Sequence, residues 1–172
     1  MIVRICSPAK ETHVSVKTTP AGYHTVTPYL IVKGAAAAIE YYKSIFGATE
    51  VIRMAGPDGA ICHAEIKIGD SNIMLGEENA KWGAMSPQSI GGSPIGLCVY
   101  FPDVDARFAK AVAAGGTVEK PVQDQFYGDR SGTISDPFGH KWTIATHIED
   151  VSHEEMGRRM QKLMSETQTA AA

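Results

Sequence analysis

Residues 25–47 read TVTPYLIVKGAAAAIEYYKSIFG, and a change of period inside this stretch decides the fold. The first eight residues, 25–32, are rich in β-branched and aromatic side chains, the composition of a strand. From Ala35 onward the apolar residues Ala35, Ala38, Ile39, Tyr42, Ile45 and Phe46 recur at i, i+3 and i+4, so the spacing predicts a helix over 35–46. Gly47 supplies the left-handed residue at which helices stop. Three strands are then expected at 48–54, 60–68 and 72–77, separated by the turn formers Gly56-Pro57-Asp58-Gly59 and Gly69-Asp70-Ser71. The unit is βαβββ.

The same plan follows a second time. Residues 79–93, rich in Gly, Pro and Ser, read as a linker. Beyond them a strand is expected at 95–101, a helix at 104–114 stopped by Gly115-Gly116, and strands at 117–123, 130–135 and 141–147. A duplicated plan should superpose its landmarks at one offset, and Gly47 with Gly116 (116 − 47 = 69) sets it. The same 69 positions join Gly59 to Gly128, Leu30 to Val99, Val32 to Phe101, Ile73 to Trp142 and Leu75 to Ile144. The reading is an α+β chain of two βαβββ modules, 23–78 and 94–150, forming one domain over 23–150, with residues 1–22 as an extension. Ser152 and Glu155 form a capping box that opens a carboxyl-terminal amphipathic helix within 151–172. Its stripe is Met156, Met160, Leu163 and Met164, and the tail from Thr167 is expected to be loose.

With 172 residues the chain has the size of one domain, and 44% hydrophobic with 20% charged residues is a globular composition. Sixteen basic against nineteen acidic residues leave a net charge of −3, which gives no field for nucleic acid or an anionic membrane. Cys6, Cys62 and Cys98 are odd in number and widely spaced, so neither a disulfide framework nor a structural zinc site is indicated. Residues 1–16 lack the apolar run of a signal peptide, and nowhere do ~18 apolar residues run uninterrupted. A cytoplasmic protein without nucleic-acid or membrane partners is expected. No dinucleotide turn, phosphate loop, nucleophile elbow or HExxH helix is present, which removes those enzyme classes.

The two modules, the strand-helix entry 29–46 and the run Asp136-Pro137-Phe138-Gly139-His140-Lys141-Trp142 together resemble the vicinal oxygen chelate superfamily, the glyoxalase, bleomycin-resistance and extradiol-dioxygenase family. The stretch 127–132 and the ending Ala145-Thr146-His147-Ile148-Glu149-Asp150 are similar to its PhnB-like branch. The resemblance implies curved mixed sheets around a ligand cavity, helices on the convex faces, and a homodimer with swapped or side-by-side modules. In metal-dependent members, ligands come from the first and fourth strands of each module. Here those positions fall on Thr27, Met74, Gly96 and Thr143, which offer no imidazole, carboxylate or thiolate. No metal and no cofactor is therefore expected.

If Ala64, Ile66 and Ile68 face the helix, alternation sends His63, Glu65 and Lys67 to the concave face. His63 and Glu65 are the catalytic candidates, as an acid–base pair, as part of a displaced metal site, or as a satisfied pair in the wall. Thr27, Tyr29, Met74, Cys98, Tyr100 and Thr143 would line a mostly apolar ligand site with them. Tyr127 belongs to a turn-rich loop, and Arg130 beside it either anchors an anion or pairs with Asp129 or Asp136. Trp82 in the linker is a candidate lid, whereas Trp142 reads as packing under the second helix. Cys98 reads as packing more than as a nucleophile, since no helix start or neighbouring His activates it.

The expected function is metal-independent binding of a hydrophobic or aromatic small molecule, an antibiotic included, in the manner of bleomycin-resistance proteins. The alternative is a glyoxalase-type lyase or isomerase, or a dioxygenase, using displaced ligands such as His63, Glu65 and His147, or metal-free acid–base catalysis. A third reading makes the carboxyl-terminal helix a recruiting element for another protein.

Overall fold

The computed structural model describes residues 16–170. Expectations for residues 1–15 lie outside the described residues. The first module runs β1 (Tyr29–Val32), α1 (Ala35–Phe46), β2 (Thr49–Ala55), β3 (Ile61–Ile68) and β4 (Ser71–Glu77). A turn of 3-10 helix at Ala80–Trp82 and the short α2 (Pro87–Ile90) cross to the second module, so the glycine- and proline-rich connection is folded. There follow β5 (Gly96–Tyr100), α3 (Val104–Ala113), β6 (Thr117–Asp124), β7 (Asp129–Ser135), β8 (Lys141–His147) and α4 (His153–Ala170). Each module is a four-stranded mixed sheet, in the orders β1-β4-β3-β2 and β5-β8-β7-β6. The first and last strands of each module pair in parallel and the remaining pairs are antiparallel.

Local chemistry sets the boundaries. β1 begins at Tyr29, later than composition predicts, because Pro28 has no amide proton to give a ladder, although its carbonyl accepts from the Met74 amide at 2.9 Å. Gly34 enters α1 in a left-handed conformation and has no capping side chain. The cap comes from β4 instead: the Glu77 carboxylate accepts from the amides of Gly34 at 2.7 Å and Ala35 at 2.8 Å. Sixty-nine positions on, Thr146 accepts from the Val104 amide at 3.0 Å and caps α3, so the repeat extends to its caps. Gly47, at φ 65°, closes α1 in the backbone region that only glycine enters freely.

Opening α4, the Ser152 hydroxyl accepts from the Glu155 amide, the first half of the expected capping box. The second half does not form, because the Glu155 carboxylate turns to Arg158 and Arg159. The helix continues through Ala170 and takes up most of the stretch expected to be a loose tail. No helix among the described residues is long and apolar enough to cross a membrane.

One hydrophobic core serves both modules, and α1 supplies much of it through Ala35, Ala38, Ile39, Tyr42, Ile45 and Phe46. Trp142 is fully buried, as packing predicts, but against the first helix: its ring lies 4.6 Å from Phe46 and 5.3 Å from Tyr42 between centroids. Each such aromatic contact is worth about 0.5–1.5 kcal/mol beyond its buried area. The Asp136 carboxylate, 4% exposed, ties the modules together. One oxygen accepts from the amides of Phe138 and His140, both at 2.9 Å, and the other from the Tyr42 hydroxyl at 2.7 Å and the Trp142 indole at 2.8 Å. Arg107 and Lys110 of α3 add bonds to the Ile45 and Ser44 carbonyls that end α1. The side chains that join the modules thus lie on helices, on turns and, with Trp142, on the helix-covered face of β8, and each sheet keeps one face uncovered by its helix.

Candidate functional site on the uncovered sheet faces

Alternation along β3 buries Ala64, Ile66 and Ile68 under α1 and turns His63, Glu65 and Lys67 to the other face, as the sequence predicts. The strand register sets Tyr29, Met74, Glu65 and Ile52 side by side in one row across the uncovered face of the first sheet. The matching row in the second sheet is Cys98, Thr143, Thr133 and Lys120. The corresponding residues of β3 and β7 differ by 68 positions rather than 69, so Glu65 superposes on Thr133 and His63 on Ser131. The polar pair of the first face therefore has no charged counterpart in the second.

On the first face the polar groups form a chain. Glu65 accepts from the Tyr23 hydroxyl on one oxygen and faces His63 Nε2 at 3.2 Å with the other. His63 Nδ1 lies 3.1 Å from the Tyr29 hydroxyl, and the two rings tilt together at 5.6 Å. All three groups are satisfied when His63 carries its proton on Nε2 and accepts from Tyr29 on Nδ1. Gly76 makes this fit possible, since a Cβ there would stand 2.8 Å from the Cys62 carbonyl and 3.1 Å from the Tyr29 hydroxyl. The Tyr23 hydrogen bond, with a smaller contribution from His63, holds the Glu65 carboxyl below the usual range. Desolvation opposes both. Phenol, imidazole and carboxylate in series can pass a proton along the face.

The second face has its own cluster, which the sequence showed only in part. Asp129, 6% exposed, accepts from the Tyr100 hydroxyl at 2.9 Å and from His147 Nδ1 at 2.7 Å. His147 Nε2 lies 3.0 Å from an Asp150 oxygen. With a carboxylate on each nitrogen, Asp129 first and Asp150 second, the imidazole pKa is raised above its ordinary value. Asp129 also pushes the Tyr100 phenol up to about 12. Thr143 bonds Thr133 at 3.0 Å, and desolvation pushes the Cys98 thiol up, away from the reactive thiolate.

Other candidates stand elsewhere. Arg130 lies on the helix-covered face of β7, where Asp105 holds it with both oxygens at 2.7 and 2.8 Å and Asp124 at 2.8 Å. It pairs with neither Asp129 nor Asp136 and is not presented to a ligand on the uncovered face. Trp82 is 77% exposed on its 3-10 turn. Tyr127 comes within 3.5 Å of Ser131 at the edge of the second face. Thr27 precedes β1 and donates to the His24 carbonyl, so it is not a strand residue. A cavity of about 400 Å³ runs beside β5, walled by Ile73, Leu97, Val99, Phe101 and Trp142 and bordered by His24, Val26 and Pro28. Cys98 and Tyr100 border it as well as the second face. Tyr23 and Asp150 were invisible as site residues, since their partners are set by a long-range crossing and by a loop turn.

The four positions to which the family resemblance assigns metal ligands are Thr27, Met74, Gly96 and Thr143. A divalent catalytic metal does not fit this set of donors. Among the described residues, no group of three or more His, Cys, Asp or Glu side chains converges as a ligand set.

Comparison with known proteins agrees with this architecture. The uncharacterized protein Mb0911c of Mycobacterium bovis is 38% identical over 138 residues, 78% of this chain and 91% of that one. A PhnB protein from Bacillus cereus superposes with a TM-score of 0.57 at 20% identity, covering 72% of this chain and 99% of that one. The fosfomycin resistance protein FosX from Listeria monocytogenes superposes with a TM-score of 0.55 at 18% identity, covering 77% and 97%. At those identities the two structures share the fold. Residues 22–144 match the Glyoxalase/Bleomycin resistance protein/Dioxygenase superfamily, and the chain belongs to it.

Proposed function

We propose that this protein binds an apolar or aromatic small molecule without a metal ion, on the uncovered sheet faces and along β5. The observation that carries the reading is the donor set at the four family positions, two hydroxyls, a thioether and a glycine, on a fold otherwise retained. Tyr29, Ile52 and Met54 on the first face and Tyr100 on the second are 42–60% exposed, which is much apolar surface to leave on a sheet. A second copy of the chain closing these faces would both bury that surface and enclose the ligand. Residues 23–78 and 94–150 would serve as the paired modules of such a homodimer. An aromatic antibiotic is a ligand of the right kind, and FosX, a fosfomycin resistance protein, gives antibiotic resistance in general a precedent on this fold. The net charge of −3 and the unpaired cysteines support a cytoplasmic role without nucleic acid or membrane.

The test is metal content of untagged protein, followed by calorimetric titration of the metal-stripped chain with zinc, nickel, manganese and ferrous iron. The expected result is no stoichiometric site, with hydrophobic aromatic compounds raising the melting temperature. A site tighter than micromolar would overturn the reading and make lyase and oxygenase assays the next step.

The chain from Tyr29 through His63 to Glu65 favours a second reading, metal-free acid–base catalysis on the first face. Under it, turnover of a substrate with an acidic C–H or O–H group would vanish in His63→Ala and Glu65→Gln. Retention of turnover in either variant would exclude it.

A further inference from the structure

The group that meets Glu65 on the first face does not belong to the sheet. Tyr23 sits in a strap ahead of β1, on a turn in which its amide donates to the Pro20 carbonyl at 3.2 Å. The strap is held at its neighbours: the Asn72 side chain donates to the Gly22 carbonyl at 3.2 Å, and His24 lies 3.3 Å from the Asp70 carbonyl. Between these ties the Tyr23 side chain reaches across the face and gives its hydroxyl to a carboxylate 42 residues away. The neighbours of Glu65 in its row are Met74 and Ile52, so a carboxylate acceptor is set among apolar side chains with His63 behind it. An acceptor in apolar surroundings selects a neutral donor carried on an apolar ring, because a bare ring leaves the acceptor unpaired and an anion is repelled. Tyr23 is such a group.

We infer that Glu65 and His63 form a subsite for the hydroxyl of a phenolic ligand, and that Tyr23 occupies it as a built-in surrogate which the ligand displaces. The inference rests on the ligand-binding reading above and names the class of ligand for the same face. The strap is anchored by two side-chain bonds to the β3–β4 hairpin end of the sheet, so the phenol can leave while the strap stays attached. His63 remains bonded to Glu65 throughout, which keeps the acceptor in place for the incoming hydroxyl.

The experiment uses p-cresol, the side chain of tyrosine as a free molecule, and toluene, the same ring without the hydroxyl. Each is titrated into the full chain, wild type and Tyr23→Ala, while the methyl NMR signals of Met74 and Ile52 are followed. In Tyr23→Ala, p-cresol should bind at least tenfold more tightly than toluene and at least tenfold more tightly than it binds the wild type. A further Glu65→Leu substitution should erase the preference. Equal affinities for the two probes, or no shift at Met74 with p-cresol in the folded variant, would overturn the inference. Tyr23→Phe guards against a misfolded alanine variant, since it keeps the ring and loses only the hydroxyl. In that variant p-cresol should still bind more tightly than it binds the wild type, and an unchanged affinity would equally overturn the inference. The probe ratio is read on the metal-free chain and stands apart from the metal titration and the ligand screen. Aromatic compounds that bind the wild type with no p-cresol preference in Tyr23→Ala would leave the broader reading standing and remove this one.

Discussion

Removing the Asp136 carboxylate should unlock the two modules from one another, and the structure gives the size of the effect. Four donors end on this one buried side chain, two backbone amides, a phenol and an indole, and the carboxylate is 4% exposed. In Asp136→Ala all four are orphaned, and at about 1–3 kcal/mol for each buried unpaired group, less whatever water recovers, the loss should be about 4–6 kcal/mol. That is a large part of the roughly 5–15 kcal/mol that holds a domain folded. Asp136→Asn keeps one accepting oxygen and should cost about half as much. Tyr42→Phe removes a single bond to a charged group and should cost about 1.5–3 kcal/mol. Because Tyr42 and Asp136 act on the same bond, the double variant Tyr42→Phe/Asp136→Ala should be little worse than Asp136→Ala alone, with a coupling of about 1 kcal/mol or more. Urea unfolding of the wild type and the four variants at neutral pH, compared by midpoint at constant slope, measures all of this. An Asp136→Ala loss under about 1 kcal/mol, or strict additivity with Tyr42→Phe, would refute the assignment of this turn as the latch between modules.

Two further outcomes follow from the caps and the histidines. Glu77→Ala removes the side-chain cap at the start of α1 and should cost about 1–2 kcal/mol by the same urea assay; a change within about 0.5 kcal/mol would mean that water replaces the carboxylate at no loss. His147 should titrate above its ordinary value of about 6.5 and return towards it in Asp129→Asn, as followed by NMR of the imidazole. Because the folded pKa is the higher one, the stabilisation from this histidine is complete below about 6.5 and is lost as pH rises through the folded value. A His147 that titrates at or below the ordinary value would mean that the two carboxylates do not hold it in solution.

Period and punctuation made the repeat legible, because the features that carry them are short-range. The strand-helix switch at Gly34, the stop at Gly47 and the alternation of Ala64, Ile66 and Ile68 against His63, Glu65 and Lys67 all depend on residues within a few positions of one another. What failed was contact between distant parts. Superposition of the repeat puts Trp142 under the second helix, yet a core shared by two modules packs it against the first, through Tyr42 and Phe46. Arg130 was placed with its sequence neighbours, yet strand alternation sends its side chain to the opposite face from Asp129, where Asp105 of α3 waits. The single-position slip has the same origin, since an offset of 69 measured on glycines cannot register the shift to 68 inside the strands, where Ile52 matches Lys120 and Glu65 matches Thr133. That slip bears on function: it sets Ser131 and Thr133 where the first face has His63 and Glu65. The duplicated scaffold therefore presents two unlike faces, one with a carboxylate acceptor beside a histidine and one with hydroxyls around a carboxylate already committed to Tyr100 and His147. If two copies pair so that unlike faces meet, each cavity has one wall whose carboxylate is covered by the Tyr23 hydroxyl of the strap and one whose carboxylate is held by Tyr100 and His147 of its own sheet. Such an asymmetry orients a ligand, which two identical faces could not do.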